Sequence, residues 1–413
     1  MLSAVLCWPV FAQHQAPFTG GSLADYLAES LRSNPGLQAE YERYEAALQK
    51  IPQAKSLPDP RVMATHFVED VQTRTGPQQN QVFLSQTVPW FGKLRLRGEV
   101  ASKEAEAIYH AYESSVLSLA REVGVAYYDY AYLGEATRIN NEVVGLLERL
   151  RETVDQKVRA GEDLAPLLRL EVELGKTQDQ VQSLRKDRIT QSARLNALLG
   201  RSVGQVLPFP NLPEPSSKRL DHEALLAELT ADNPELKQLR SRIAKAEESL
   251  RLSKLSSLPD PTIGVGVFDT GDAISPGVTG SGDDPWAIQL SFSIPLWSGK
   301  YRAEKKEAQA NYAAAKAMLS DRENRLAAEL EATLQMLAEE EQRMRLYSET
   351  LLPKARQAVE LLQTSYEADR ASILDFIDSE RSLLEVEGNY WRAVANHYQS
   401  MVRLRSLTGS AVQ

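Results

Sequence analysis

Gln86-Thr87-Val88-Pro89-Trp90-Phe91-Gly92-Lys93 occurs a second time, as Phe292-Ser293-Ile294-Pro295-Leu296-Trp297-Ser298-Gly299-Lys300. Each copy ends an alternating segment and opens a long helical one. Pro89 and Pro295 stop a strand ladder, because proline has no N–H to donate. Gly92 and Gly299 let the backbone turn where another residue would clash. Lys93 and Lys300 then begin charged, alanine-rich runs. Each copy therefore reads as a joint between a sheet and a helix.

Other landmarks recur around the joint in the same order. Asn34-Pro35 returns as Asn233-Pro234 at an offset of 199, and Leu57-Pro58-Asp59-Pro60 as Leu258-Pro259-Asp260-Pro261 at 201. Gly92-Lys93 returns at 207, and Leu199-Gly200 matches Thr408-Gly409 at 209. Several matches in register, drifting as small loop insertions require, make a tandem repeat. The 413 residues divide into a signal segment (1–12), a first repeat (13–206), a Pro-rich linker (207–220) and a second repeat (221–413). Each repeat reads as helix, strand pair, helix, helix. Four prolines between Pro208 and Pro215 make the linker extended rather than helical.

The balance of 47 basic against 56 acidic residues, net −9, argues against nucleic acid as a partner, since phosphate binding wants a basic face. No run approaches the ~18 apolar residues of a membrane helix, so a membrane role would have to use strands. Met1 to Ala12 looks like the apolar core of a secretory signal with Val10-x-Ala12 at its cleavage site, against the alternative of an apolar tail. It lacks a basic leader, as a truncated signal would. The only cysteine is Cys7. Cleavage after Ala12 leaves no thiol chemistry, and Leu6 is a poor neighbour for a lipid-anchor cysteine.

Residues 22–56 read as helix interrupted at Asn34-Pro35, with Ser22 as cap. Residues 61–70 and 81–89 read as a strand pair around Gly76-Pro77. In the second half, Ile263, Val265 and Val267 alternate with glycines. Trp286, Ile288, Leu290, Phe292 and Ile294 alternate with small and polar residues. A soluble sheet would bury that apolar face under a helix; a membrane barrel would turn it to lipid. Residues 97–158 carry apolar positions at 105, 108, 112, 116, 119, 123, 126, 130 and 133, a coiled-coil seam. About 60 helical residues span roughly 90 Å. Gly161 breaks the run, and a second helix follows to Leu199. The pattern recurs from Lys300 to about Glu367 and from Ala371 to Leu407. The helix near 36–56 has the length to complete the shorter return helix against the long one.

This combination resembles the TolC-like outer membrane efflux proteins over almost the whole chain. The Pro-Trp-Phe-Gly-Lys joint and Leu-Pro-Asp-Pro resemble the branch that serves heavy-metal and cation efflux. The resemblance implies a mainly α fold with a membrane β-barrel: a homotrimer whose four strands per chain close a twelve-stranded barrel in outer-membrane lipid, continued by a coiled α-helical barrel in the periplasm of a Gram-negative bacterium. It implies a periplasmic adaptor and an inner-membrane pump of the RND type as partners. The hairpin tips Arg159-Ala160-Gly161-Glu162-Asp163 and Ala368-Asp369-Arg370-Ala371-Ser372 would then meet the adaptor. Asp375 and Asp378 fall where the family places constricting carboxylates; they lie three apart, on one helix face, which Ser382, Glu385 and Asn389 continue. Without the resemblance that face reads as an ordinary solvated one. The acidic residue that often locks the family's first tip is replaced by Leu167, after Pro166, with Asp163 and Arg169 as possible substitutes.

Histidines at 14, 66, 110, 222 and 397 lack ligand spacing, and His397 reads as packed on the last helix's seam. Tyr127, Tyr128, Tyr130 and Tyr132 read as core, and the methionines do not cluster. No phosphate loop or nucleophile motif occurs. The expectation is thus no enzyme, cofactor or metal site, but a passive efflux duct for metal cations or small toxic molecules. The alternatives are a soluble coiled-coil adaptor or scaffold, and a duct for protein secretion or drugs.

Overall fold

The structure, a computed structural model, describes residues 18, 20–214, 220–368 and 370–410. The signal segment with Cys7, linker residues 215–219 and Asp369 lie outside the described residues. In chain order the elements are α1 (Leu23–Ser33), α2 (Pro35–Lys55), β1 (Arg61–Thr73), β2 (Gly76–Thr87), α3 (Lys93–Arg159), α4 (Ala165–Leu198), α5 (His222–Asp232), α6 (Pro234–Leu255), β3 (Pro261–Thr270), β4 (Trp286–Phe292), α7 (Ser298–Arg345), α8 (Leu352–Glu367) and α9 (Ile373–Leu407). They form two compact units, each drawing on both repeats.

The helical unit holds residues 1–40, 112–234 and 323–413. Its packing shows why the repeat landmarks recur. Asn34 donates from Nδ2 to the Leu198 carbonyl at 2.9 Å, while its Oδ1 accepts from the Leu37 N–H at 3.1 Å. Asn233 donates in the same way to the Leu407 carbonyl at 3.0 Å. Each Asn-Pro thus ties the start of its repeat to the end of that repeat's last helix. Gly200 (φ 66°) and Gly409 (φ 75°) end those helices in the left-handed region. A Cβ at Gly200 would lie 2.2 Å from the Ser33 carbonyl oxygen, and one at Gly409 2.6 Å from that of Asp232. Conformation and close approach both require glycine there. Ser22 caps α1 in a capping box with Asp25.

The long-helix seam is the core of this unit. Leu119, Val123, Ala126, Tyr130 and Leu133 are buried together with Leu195 and Leu199. Tyr127, Tyr128 and Tyr130 belong to the same core, and the Tyr130 hydroxyl donates to the Leu207 carbonyl at 2.6 Å. The start of the linker is therefore packed down rather than free. His397 is buried at 2% exposure. Burial holds its ring below the ordinary value against the opposing charge of Glu341, as a packed neutral histidine requires.

The second unit holds residues 41–111 and 235–322. Its sheet is antiparallel in the order β1-β2-β3-β4, so β1 and β4 are its two edges. Val62, Leu84, Val265 and Ile288 form one cross-strand row; Ala64, Val82, Val267 and Trp286 form another on the same face. Val62, Leu84, Val265, Ile288, Val82, Val267 and Trp286 are all exposed. On the opposite face Phe83, 6% exposed, covers Gly266, where a Cβ would meet its ring at 2.4 Å.

The structure corrects the sequence reading at four places. The first hairpin turns at Arg74-Thr75, and Gly76-Pro77 already belongs to β2. The Gln-rich stretch after Pro77 has loop composition but is held by ladder pairing on both sides. Strand β4 ends at Phe292, which leaves Ile294 exposed just beyond it. The long helix after Lys300 is not continuous: Leu346–Leu351 is a π-helical turn between α7 and α8. Pro353 explains it, since proline lacks an N–H and crowds the preceding turn, and one inserted residue relieves both. The Leu352 N–H accordingly reaches back to the Tyr347 carbonyl. Finally, Gly92 turns with φ 89°, but Gly299 is helical, one residue into α7. The second joint has one extra residue, and it turns instead through the Leu296-to-Ile294 and Ser298-to-Leu296 backbone bonds of 2.9 and 3.1 Å.

Candidate functional site: paired helical tips and the sheet–helix joint

The first tip is a helix reversal built on Gly161. Helix α3 ends in a Schellman cap: Glu162 N–H donates to Lys157 C=O at 3.1 Å and Gly161 N–H to Val158 C=O at 3.0 Å. Gly161 has φ 104° and nothing within 4 Å of where a Cβ would stand, so conformation alone demands glycine. Asp163 Oδ1 accepts from the Ala165 N–H at 3.1 Å, and Pro166 lies in the first turn of α4. Arg159, Ala160, Glu162 and Asp163 are exposed. At the second tip the Arg370 N–H donates to Ser365 C=O at 2.8 Å. Ala368, Arg370 and Ser372 are exposed and Ala371 is half-buried.

The two tips pack on each other. Leu167, Leu170 and Leu174 of α4 are buried with Ile373, Phe376 and Ile377 of α9, and Tyr366 stacks on Phe376 at 6.5 Å. Leu167 is thus part of an apolar core; Asp163 accepts from the Ala165 N–H just ahead of α4, and Arg169 is exposed. Arg381 of α9 reaches Glu173 of α4 at 3.1 Å and Asp378 at 3.8 Å.

Asp375 and Asp378 lie on the face of α9 turned away from this core. Both are exposed, as are Ser382, Glu385 and Asn389 in the same stripe. Asp375 also has a local duty. Its carboxylate accepts from the Ser372 N–H at 3.3 Å and hydroxyl at 2.9 Å, and its own N–H donates to Ser372 Oγ at 3.2 Å. This capping box was legible as Ser372-Ile373-Leu374-Asp375, yet sequence reasoning missed it.

Sequence reasoning also missed what holds the joint. The Lys93 ammonium is buried, donating to Asp260 Oδ1 at 2.8 Å and to the Leu258 carbonyl at 2.7 Å. The Trp90 N–H donates to the same Asp260 oxygen at 2.7 Å. Burial raises the Asp260 carboxyl, but the Lys93 and Trp90 hydrogen bonds and the charges of Lys93 and Arg97 outweigh it and leave it below its ordinary value. Two repeat motifs from opposite halves, Gly92-Lys93 and Leu258-Pro259-Asp260-Pro261, therefore meet. Lys93→Met is expected to destabilise the sheet unit by about 1–2 kcal/mol, because it leaves a half-buried carboxylate without its cation. Since the folded Asp260 carboxyl is depressed, its contribution is present above the unfolded value of ~3.9 and is lost as pH falls through the folded one. Lys93→Met should flatten that acid-side loss in a denaturation series. A wild-type-like pH profile would show that the pair contributes nothing.

A sheet with one exposed apolar face and two open edges, joined to coiled helices that end in paired tips, defines the architecture of an efflux channel subunit. Residues 26–201 and 225–410 each match the outer membrane efflux protein family, one match per repeat, and the chain belongs to that family. Among curated proteins it is 20% identical over 392 residues to nodulation protein T of Rhizobium leguminosarum bv. trifolii, covering 91% of this chain and 83% of that protein. Among solved structures, the outer membrane protein VceC of Vibrio cholerae has a TM-score of 0.78 at 18% identity, covering 95% of this chain and 97% of that one. CusC has a TM-score of 0.80 at 14% identity, covering 97% and 96%. At these identities the structural likeness speaks for the fold. Among the described residues no group of three His, Cys, Asp or Glu side chains is placed to hold a metal ion, and no helix is long and apolar enough to cross a membrane.

Proposed function

We propose that the chain is the exit duct of a tripartite efflux pump in the outer membrane of a Gram-negative bacterium. Three copies pair their sheets into one twelve-stranded barrel, and the helices continue it as a periplasmic tunnel. One observation carries this reading: four strands expose a continuous apolar face and leave β1 and β4 without outer partners. Lipid suits the face, and hydrocarbon does not tolerate the open edges, so the sheet must close on further copies. Aromatic residues flank the band, with Trp286 at one end and Phe91, Phe292 and Trp297 at the other, all exposed, as interfacial girdles require. A soluble scaffold would need a cover for this face. The native unit is expected to be a trimer in detergent, by light scattering corrected for bound detergent. A stable monomer that needs no detergent would favour the scaffold.

The tips are the docking surface for a periplasmic adaptor, which links the duct to an inner-membrane pump of the RND type. Ala160→Trp and Ala371→Trp are expected to weaken site-specific crosslinking to the adaptor while trimers still form. Undiminished crosslinking would place docking elsewhere. The cargo is metal cations or small toxic molecules, on two supports: the joint and Leu-Pro-Asp-Pro motifs resemble the cation-efflux branch, and exposed carboxylates line α9. Sensitivity of a deletion strain to a panel of metals and drugs tests the cargo; sensitivity confined to drugs would overturn the cation assignment.

A further inference from the structure

The internal repeat makes a demand that one chain leaves unmet. Within the chain, Lys93 of the first joint pairs with Asp260 of the second Leu-Pro-Asp-Pro. Their repeat partners are Lys300, at an offset of 207, and Asp59, at 201. These are the same chemical groups in the same motifs. One backbone contact is repeated too, although the joints turn differently: the Lys93 N–H donates to the Trp90 carbonyl at 3.0 Å and the Lys300 N–H to the Trp297 carbonyl at 3.0 Å. Yet the second pair is not made. Asp59 is exposed and has no ion-pair or hydrogen-bond partner among the described residues. Lys300 is exposed, and among the described residues its ammonium has no ion-pair partner and lies over the ring of its neighbour Tyr301, 5.6 Å away.

The strands explain why. Lys93 follows β2 and Asp260 precedes β3, and those strands pair with Thr87 opposite Thr262 and Ser85 opposite Gly264. Lys300 follows β4 and Asp59 precedes β1, and these are the two free edges of the sheet. No rearrangement within one chain brings them together as neighbours, whereas a second copy does. We infer that Lys300 of one copy pairs with Asp59 of the next, across a β4–β1 seam whose register copies that of β2 and β3. The Trp297 N–H is the second donor, as Trp90 is at the internal joint. The strand ends carry an offset of 206, Pro89 to Pro295, because the second joint has one extra residue before its lysine; with 201 for the other strand this places Ser291 opposite Met63 and Phe292 opposite Val62. The parity holds, because Phe292 and Val62 both lie on the apolar face, with 61% and 70% exposure. Each chain then contributes one internal lock and half of two shared ones, and a ring of alternating locks closes the barrel at its helix joint.

This inference rests on the trimer proposed above, and charge reversal separates the two. The full chain is purified in detergent, and trimer dissociation is followed over time. Asp59→Lys and Lys300→Asp each oppose like charges at the seam, and each is expected to dissociate at least ~10-fold faster than the native trimer. The double variant Asp59→Lys/Lys300→Asp is expected to return toward the native rate. Both positions are exposed in the protomer, so the reversals leave its own fold intact. Independently, Met63→Cys with Ser291→Cys, in a Cys7→Ser background, should give covalent trimers on oxidation, while Val62→Cys with Ser291→Cys, on opposite faces, should not. Native-like dissociation of both single reversals, failure of the double to recover, or no covalent trimer from the register pair would overturn the lock while the duct stands. A native chain that is monomeric in detergent would overturn the duct, and the lock with it.

Discussion

Arginine in place of Leu290 is expected to prevent stable barrel assembly, at a cost of about 2–4 kcal/mol if the position lies near the bilayer midplane. Leu290 stands inside β4, between the girdles marked by Trp286 and by Phe292 with Trp297. Its neighbour across the ladder is Ile263, and the adjacent row Ile288, Val265, Leu84 and Val62 is apolar on all four strands. Its own row runs through Ile263 to Gln86, two strands away, so a guanidinium there meets no acceptor on the neighbouring strand and hydrocarbon outside the sheet. Gln289 is one residue away and on the opposite face. Its row runs through Gly264 and Ser85 to Arg61, so that face already carries an arginine, and Gln289→Arg is expected to be mild. The comparison is best read in a membrane-assembly assay with both variants expressed alike. Equal tolerance at the two positions would mean that the apolar face does not meet lipid.

That contrast depends on a parity visible in the chain before any coordinates, because side chains alternate with a period of two. The repeat was legible for the same kind of reason. Asn34, Gly200 and their second copies recur because each makes one backbone contact that no other residue type makes as well. The apolar seam from 105 to 133 was legible because packing selects its spacing. Other features were hidden. Lys93 and Asp260 stand 167 residues apart, and spacing along a chain carries no information about contacts at that separation. The Gln-rich end of the first hairpin resembles a loop because ladder hydrogen bonds use backbone groups and leave composition free. The π-helical turn before Pro353 falls between: the proline marks a perturbation, but its place in the sequence does not distinguish a helix that absorbs it from one that ends. The face of α9 bearing Asp375 and Asp378 was legible as a stripe. A stripe does not say what it faces in an assembly.

What it faces is put to the test by removing charge without removing the cap. In a trimer three copies of Asp375 and three of Asp378 would ring the axis at the periplasmic entrance, and so many carboxylates close together repel one another. A cation relieves that repulsion, so cations should enter more readily than anions, and a multivalent cation should bind and block. Arg381 offsets this only in part, because it lies nearer Glu173, at 3.1 Å, than Asp378, at 3.8 Å. Replacing both aspartates by alanine would abolish the ring but would also take the Ser372 capping box from α9, at about 1 kcal/mol. Asp375→Asn/Asp378→Asn is cleaner, since the amide oxygen can still accept from the Ser372 N–H and hydroxyl. The tip core of Ile373, Phe376 and Ile377 is untouched by either change. The double asparagine variant is therefore expected to form native-like trimers, with cation preference and multivalent block both lost in single-channel recordings. The alanine pair should behave alike in conductance, with a modest loss of tip stability. If selectivity and block survive in the asparagine pair, the constriction lies elsewhere, and the exposed stripe of α9 is a solvated helix face.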